Sequence, residues 1–260
     1  MLEVRRAARS TAKQLAVLAA CSLGVLAVGA PAAMADPQQG PKICPAEGTP
    51  VKGNFRNLTI TGNAYVEAGT QLTVKGNLTL APKACLDAFT TGTVSVGGSV
   101  RVLKAATLAL GCSPGAIGEV PPCGTTTTHD VVHGSINATE ARTLYLDGDL
   151  IEGSVNSEFG GQRPTANSYL TFPIKENVIK GSITIYGWKG SWFGMLRNKI
   201  YGNVTLFSIL TTDPDSMEIA SNTVLLHLMC WWNGPAPQFG DSEGEPNIVG
   251  VAKEGQCAKL

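Results

Sequence analysis

Between Asp130 and Glu152 the chain gathers the side chains best suited to acid–base or metal chemistry: Asp130, His133, Asp147, Asp149 and Glu152. Close carboxylates can bind calcium or divide the acid and base roles of glycoside cleavage. Asp149, Glu152 and His133 are the candidates for catalysis. The plain alternative is a surface ion pair beside aspartates that cap turns. A second group is aromatic. The four tryptophans, Trp188, Trp192, Trp231 and Trp232, fall in the C-terminal part of the chain, with Phe193 and Tyr201 close. Exposed on one side, they would bind a ligand by stacking on sugar rings or another apolar surface. Buried, they would plug the end of the fold.

The elements that position these residues repeat. Asn177-Val-Ile-Lys-Gly181-Ser-Ile-Thr-Ile185 matches Asn198-Lys-Ile-Tyr-Gly202-Asn-Val-Thr-Leu206. The frames around Gly153 and Gly134 fit as well, and those at Gly98, Gly76 and Gly62 keep the second half. Successive glycines lie 14, 22, 36, 19, 28 and 21 residues apart. The gap of 36 is expected to hide one irregular coil. A period near 20 residues marks a solenoid. Residues two before, two after and four after each glycine are mostly Val, Ile or Leu, and those between are polar. That is strand alternation with one face buried.

The expected fold is therefore all-β, a single-stranded right-handed parallel β-helix (β-solenoid) with about 20-residue coils. The glycine suits a bend that needs positive φ or close stacking. The first repeat position changes from Leu58, Leu72 and Val94 to Asp130, Asp149, Asn177, Asn198, Asn222 and Asn247. Stacked Asn side chains on the inward side of a turn can form a hydrogen-bonded ladder. The row one past the glycine (Asn63, Asn77, Ser99, Ser135, Ser154, Ser182, Asn203, His227) is polar and outward, to be solvated or to contact a glycan.

The ends bound the compartment. Arg5, Arg6, Arg9 and Lys13 precede an apolar stretch from Leu15 to Ala30, and Ala33-Met34-Ala35 offers a small-x-small site. Residues 1–35 are read as a signal peptide cleaved after Ala35, 36–52 as a Pro/Gly-rich tether, and 53–260 as one β-helix domain. A lipoprotein anchored through Cys21 is the rival, but the residues after Cys21 stay apolar where a tether is polar. Past residue 35 there remain 16 basic and 19 acidic residues. No basic patch points to nucleic acid, and no stable membrane insertion is expected. Cys44, Cys85, Cys112, Cys123, Cys230 and Cys257 also remain, an even number that reads as disulfides. Cys112 with Cys123 would close a short loop, Cys230 with Cys257 would pin the C-terminus and Cys44 with Cys85 the N-terminus, but sequence alone leaves the pairing open.

The tail Asn233-x-Pro235-Ala236-Pro237, then Pro246-Asn247-x-Val249, then Gly255-Gln256-Cys257 resembles a group of secreted bacterial proteins of unknown function, over residues 177–257. The resemblance implies a secreted β-helix and brings no catalytic residue with it. In that group the rung of Asn222 ends in glycine, where this chain has Leu226. More distantly, the fold expected here resembles those of pectinolytic enzymes, phage tailspikes and adhesins. The polygalacturonase motifs fail: Asn222-Thr223 continues to Val224, and Arg197-Asn198-Lys199 has no acidic rung beside it. The expectation is a secreted, non-catalytic binding or structural protein whose partner is an extracellular polysaccharide or cell-wall component. The alternative is a polysaccharide lyase or glycoside hydrolase acting on an extracellular glycan. No cofactor is expected, and calcium is the one ion the acidic cluster would suit.

Overall fold

The computed structural model describes residues 43–44, 48–113, 129–162, 170–240 and 244–260. Every paired strand in it is parallel, and the strands form three sheets of 8, 9 and 9 strands. Up to the last coil the chain visits the sheets in rotation, so each coil of the β-solenoid contributes one strand to each of three walls; the last coil gives strands to two of them and meets the third only through the single bridge of Gln238 to Glu218. Wall 1 runs from Thr49–Pro50 to Met217–Ala220, wall 2 from Gly53–Phe55 to Ile248–Val249, and wall 3 from Leu58–Ile60 to Ala252–Gly255.

Alternation along each strand sends every second residue inward, and register puts like on like. Wall 2 stacks Val74, Val96, Val132, Ile151, Ile179, Ile200 and Val224 in one file, all buried. Wall 3 stacks Leu78, Val100, Ile136, Val155, Ile183, Val204 and Leu228. Wall 1 brings Leu86, Leu108, Leu144, Phe172, Phe193 and Met217 to the same core. Branched side chains fit a pleated, buried wall, whereas wall 1 is buried on both faces along several strands and takes Thr107, Thr143, Asp147, Lys175 and Glu218 out of solvent as well.

The repeat glycine sits at the bend from wall 2 to wall 3. Its role is close stacking, not positive φ. A Cβ on Gly153 would lie 2.6 Å from the Gly134 carbonyl oxygen, and one on Gly181 2.6 Å from that of Gly153. The Gly153 N–H donates to the Gly134 carbonyl and the Gly181 N–H to the Gly153 carbonyl, both at 3.0 Å. At Leu226 the bend survives. Val224 and Leu228 stay in register with Ile200 and Val204, and the Leu226 side chain turns outward.

Three sequence expectations are corrected. Gly62 is not a repeat glycine. Leu58 pairs with Leu78, so Arg56 holds the glycine position of the first coil and the Gly76 N–H donates to its carbonyl. Asn63 belongs to wall 1, opposite Cys85. The gap of 36 hides no extra coil: Val100 pairs directly with Ile136, so one coil carries an insertion. The β-helix begins before residue 53, because Thr49–Pro50 already pairs with Ala64–Tyr65. Proline is tolerated there because the strand is the edge of its sheet.

Cys44 is bonded to Cys85 and Cys230 to Cys257, with Cα–Cα distances of 5.7 and 5.2 Å. Cys112 is disulfide-bonded too, while Cys123 lies outside the described residues. So do the leader, the site at Ala35 and Cys21. No helix among the described residues is long and apolar enough to cross a membrane.

Candidate functional site

The bend from wall 1 to wall 2 holds the expected ladder. The Asn198 side-chain oxygen accepts the Asn177 N–H and the Asn177 amide, both at 3.0 Å. The Asn198 amide donates to Asn222 Oδ1 at 2.9 Å and to the Ile174 carbonyl at 2.7 Å. Asn222 and Asn247 repeat the pattern. Glu176, Arg197 and Ser221, the residues before three of these asparagines, have φ of 57°, 55° and 57°. A left-handed residue thus turns each Asn side chain back over the corner.

The ladder continues into the acidic cluster and changes character there. Asn177 Oδ1 accepts the Asp149 N–H at 2.9 Å. Asp130 accepts the Val94 N–H at 2.6 Å and the Gly111 N–H at 2.9 Å. Neither carboxylate oxygen of Asp149, buried between its neighbours, makes a hydrogen bond of good geometry. Burial above all, then the charges of Asp130 and Asp147, push its carboxyl well above the usual range, against weak support from the backbone N–H groups of Asp147 and Asp130. Burial also pushes Asp130 up to about 7, against the two N–H groups it accepts. Asp147 accepts the Ser113 hydroxyl at 2.5 Å. Asp130, Asp147 and Asp149 are all buried, so no polymer reaches them.

His133 and Glu152 are neighbours on consecutive coils, as the repeat requires, but they lie outside the wall that buries Asp149. Glu152 takes His133 Nδ1 and Lys180 Nζ, each at 2.7 Å. The Lys180 hydrogen bond, followed by that of His133, holds the Glu152 carboxyl below its usual range. A depressed carboxyl is a poor general acid. The catalytic candidates are therefore split between a buried corner and a surface ion triad. Among the described residues, no group of three or more His, Cys, Asp or Glu could hold a metal ion.

The polar row is occupied as well. Asn77 Oδ1 accepts the Ser99 N–H at 2.9 Å, and the Ser135, Ser154 and Ser182 hydroxyls accept the N–H groups of Ser154, Ser182 and Asn203 at 3.0–3.1 Å. These side chains staple the second bend from outside, so they are not a loose surface awaiting a glycan.

The four tryptophans do not share a face. Trp188 is fully buried, packed on Phe172 and Phe193, and its Nε1 donates to the Arg142 carbonyl at 3.1 Å. Trp192 lies half-buried on wall 1, flat over Gly194, and its Nε1 donates to Glu218 at 2.8 Å. Only Trp231 and Trp232 are exposed, at 43% and 74%. Phe193 is buried, and Tyr201 lies near Lys199 at the second bend. The reason is local. Trp188 follows Gly187 at φ 72°, which reverses the alternation and sends the ring inward. Trp232 itself holds a left-handed corner, φ 54°, and projects outward.

That corner and the row beside it carry a feature the sequence reading missed. Phe159, Tyr186, Phe207 and Trp232 come from four successive coils and touch in file. Centroids are 4.9 Å apart for Phe159–Tyr186, 4.9 Å for Tyr186–Phe207 and 4.7 Å for Phe207–Trp232. Phe159 is 53% and Tyr186 37% exposed. Gly187 leaves room for the stripe, since a Cβ there would lie 2.9 Å from the Phe159 ring. The signal was present in sequence: Tyr186 and Phe207 each lie five past a repeat glycine, and Phe159 six past. At the Phe159 end the stripe meets an open groove of about 470 Å³ lined by Lys104, Glu140, Arg142, Gly160, Gly161 and Gln162. No protein-family model, curated protein or solved structure matches the chain.

Proposed function

We propose that the chain is an exported, non-catalytic β-solenoid that binds an extracellular polysaccharide or cell-wall component along wall 3. The supporting observation is the file of outward rings Phe159, Tyr186, Phe207 and Trp232. Rings held edge-on and face-on at the coil spacing form a rigid apolar strip, and such strips stack on the faces of sugars. The disulfides and the basic, then apolar, leader support export with cleavage after Ala35. The likeness of the tail to secreted bacterial proteins agrees with this reading.

The test is co-sedimentation of the purified exported chain with insoluble cell-wall material and a panel of polysaccharides. Retention is expected on at least one of them, and Trp232→Ala should weaken it about tenfold. Retention unchanged in Trp232→Ala and Tyr186→Ala would overturn the stripe as the binding face. Depolymerisation of a glycan by the wild type, lost in Glu152→Ala, would place the chain among polysaccharide lyases or hydrolases instead.

A further inference from the structure

Resting on the reading of the stripe as a glycan face, we propose that its ligand is a carboxylated polysaccharide. One carboxylate seats over Gly160 and Gly161 against Arg142, while neighbouring sugars lie over Phe159 and Tyr186. Coil stacking requires the two glycines: a Cβ on Gly160 would lie 2.3 Å from the Ala141 carbonyl oxygen, and one on Gly161 would collide with that of Lys189. Having no side chains, they leave the groove beside Arg142 open. The rim is cationic. Arg142, Gly161 and Lys189 follow one another along the third bend: Ala141 pairs with Gly160, and Gly161 pairs with Lys189. Arg142 and Lys189 therefore stand two coils apart, roughly 10 Å at the strand spacing, with a glycine between them.

The charges favour an anion. Lys104 pairs with Glu140 at 2.6 Å, which neutralises the one carboxylate lining the groove. No carboxylate among the described residues pairs with Arg142 or Lys189. An unpaired guanidinium beside an open notch is built to take a carboxylate through two parallel N–H bonds. Carboxylates repeated along a polymer would then meet Arg142 and Lys189 in turn. One residue opposes this, and so sharpens the test. Glu158 is exposed and in register with Tyr186, so it lies on the path of the chain.

Affinity electrophoresis through polysaccharide pairs that share a backbone but differ in charge tests the proposal. Polygalacturonate is compared with its methyl ester, and carboxymethylcellulose with hydroxyethylcellulose. The wild type should be retarded more by the charged member of at least one pair. Arg142→Gln should lower that retardation about tenfold, and Glu158→Gln should raise it, with the neutral member unaffected by either. Half-molar salt should abolish the difference. Equal retardation by charged and neutral members, or insensitivity to Arg142→Gln, would overturn the carboxylate and leave the aromatic stripe standing. Retardation by a phosphodiester polymer with none by carboxylated ones would overturn it too. Loss of all retardation in Trp232→Ala alongside no preference for charge would support the stripe alone. No retardation by any probe would remove the reading on which the proposal rests.

Discussion

Position 149 carries aspartate where the four coils after it carry asparagine. An asparagine there would have an amide to offer Asn177 Oδ1, as Asn177 offers one to Asn198. The ionised aspartate has two oxygens, nothing to donate and no hydrogen bond of good geometry on either oxygen. Its raised carboxyl, and that of Asp130 near 7, mean that the folded state binds protons the unfolded chain releases. Stability contributed this way is complete below the ordinary carboxylate range and is lost as pH rises toward 7. The denaturation midpoint should therefore fall between pH 5 and pH 8. Asp149→Asn should raise the unfolding free energy at pH 8 by about 1–2 kcal/mol and flatten its pH dependence, as urea unfolding at both pH values would report. Asn198→Ala should cost about 2–4 kcal/mol in the same assay, since it strands the buried Asn177 N–H, leaves the Asn177 amide only the Leu146 carbonyl and takes the side-chain donor from the Ile174 carbonyl. The Asn row was legible in sequence because side-chain type and spacing coincide. Which way each Trp points was not, because a single left-handed residue such as Gly187 inverts the alternation and leaves composition unchanged. Trp188→Ala would therefore report core loss of about 3–5 kcal/mol and say nothing of binding.

At the scale of the element, the bend between walls 2 and 3 separates two glycines that look alike in sequence. Gly153→Ala would drive a Cβ into the Gly134 backbone at 2.6 Å and should lower the unfolding free energy by about 1–3 kcal/mol. Gly62 has nothing within 4 Å of such an atom and no left-handed φ. Gly62→Ala should therefore change stability by no more than about 0.5 kcal/mol, and thermal melts of the two variants side by side would separate them. Gly62-Asn63-Ala64 imitates the repeat, whereas the true first bend is written Arg56-Asn57, without its glycine. The phase of the first coil was thus misread while the period was right. The stripe went unseen for a related reason: its rings are divided between two adjacent offsets, five past the bend for Tyr186 and Phe207 and six for Phe159 and Trp232, so no single column of the repeat collects them.

At the largest scale, the described residues form a stack whose neighbouring coils support each other only through shared edges, so the last coils carry the burden of closure. Cys230–Cys257 ties the last coil to the one before it, across 27 residues. Lys253 Nζ donates to the Leu260 carbonyl, and Leu260 is buried. Replacing Cys257 by Ser should cost about 2–4 kcal/mol, with limited proteolysis opening the chain first beyond Trp231. Protection of that segment equal to the wild type would show that the last coil closes without its cystine.

The two ladders also differ in direction. On the inner corner an N–H of one coil is accepted by a side chain of the next, as Asn177 is by Asn198. On the outer corner an N–H is accepted by a side chain of the coil before, as Ser182 is by Ser154. Stripping coils from the C-terminal side would therefore leave an inner-corner N–H without its acceptor, as Asn222 would be without Asn247, while an outer-corner N–H that stays, such as that of His227 on Asn203, keeps its own. The stack is directional, and a cut made anywhere along it presents two faces with different sets of unmade bonds.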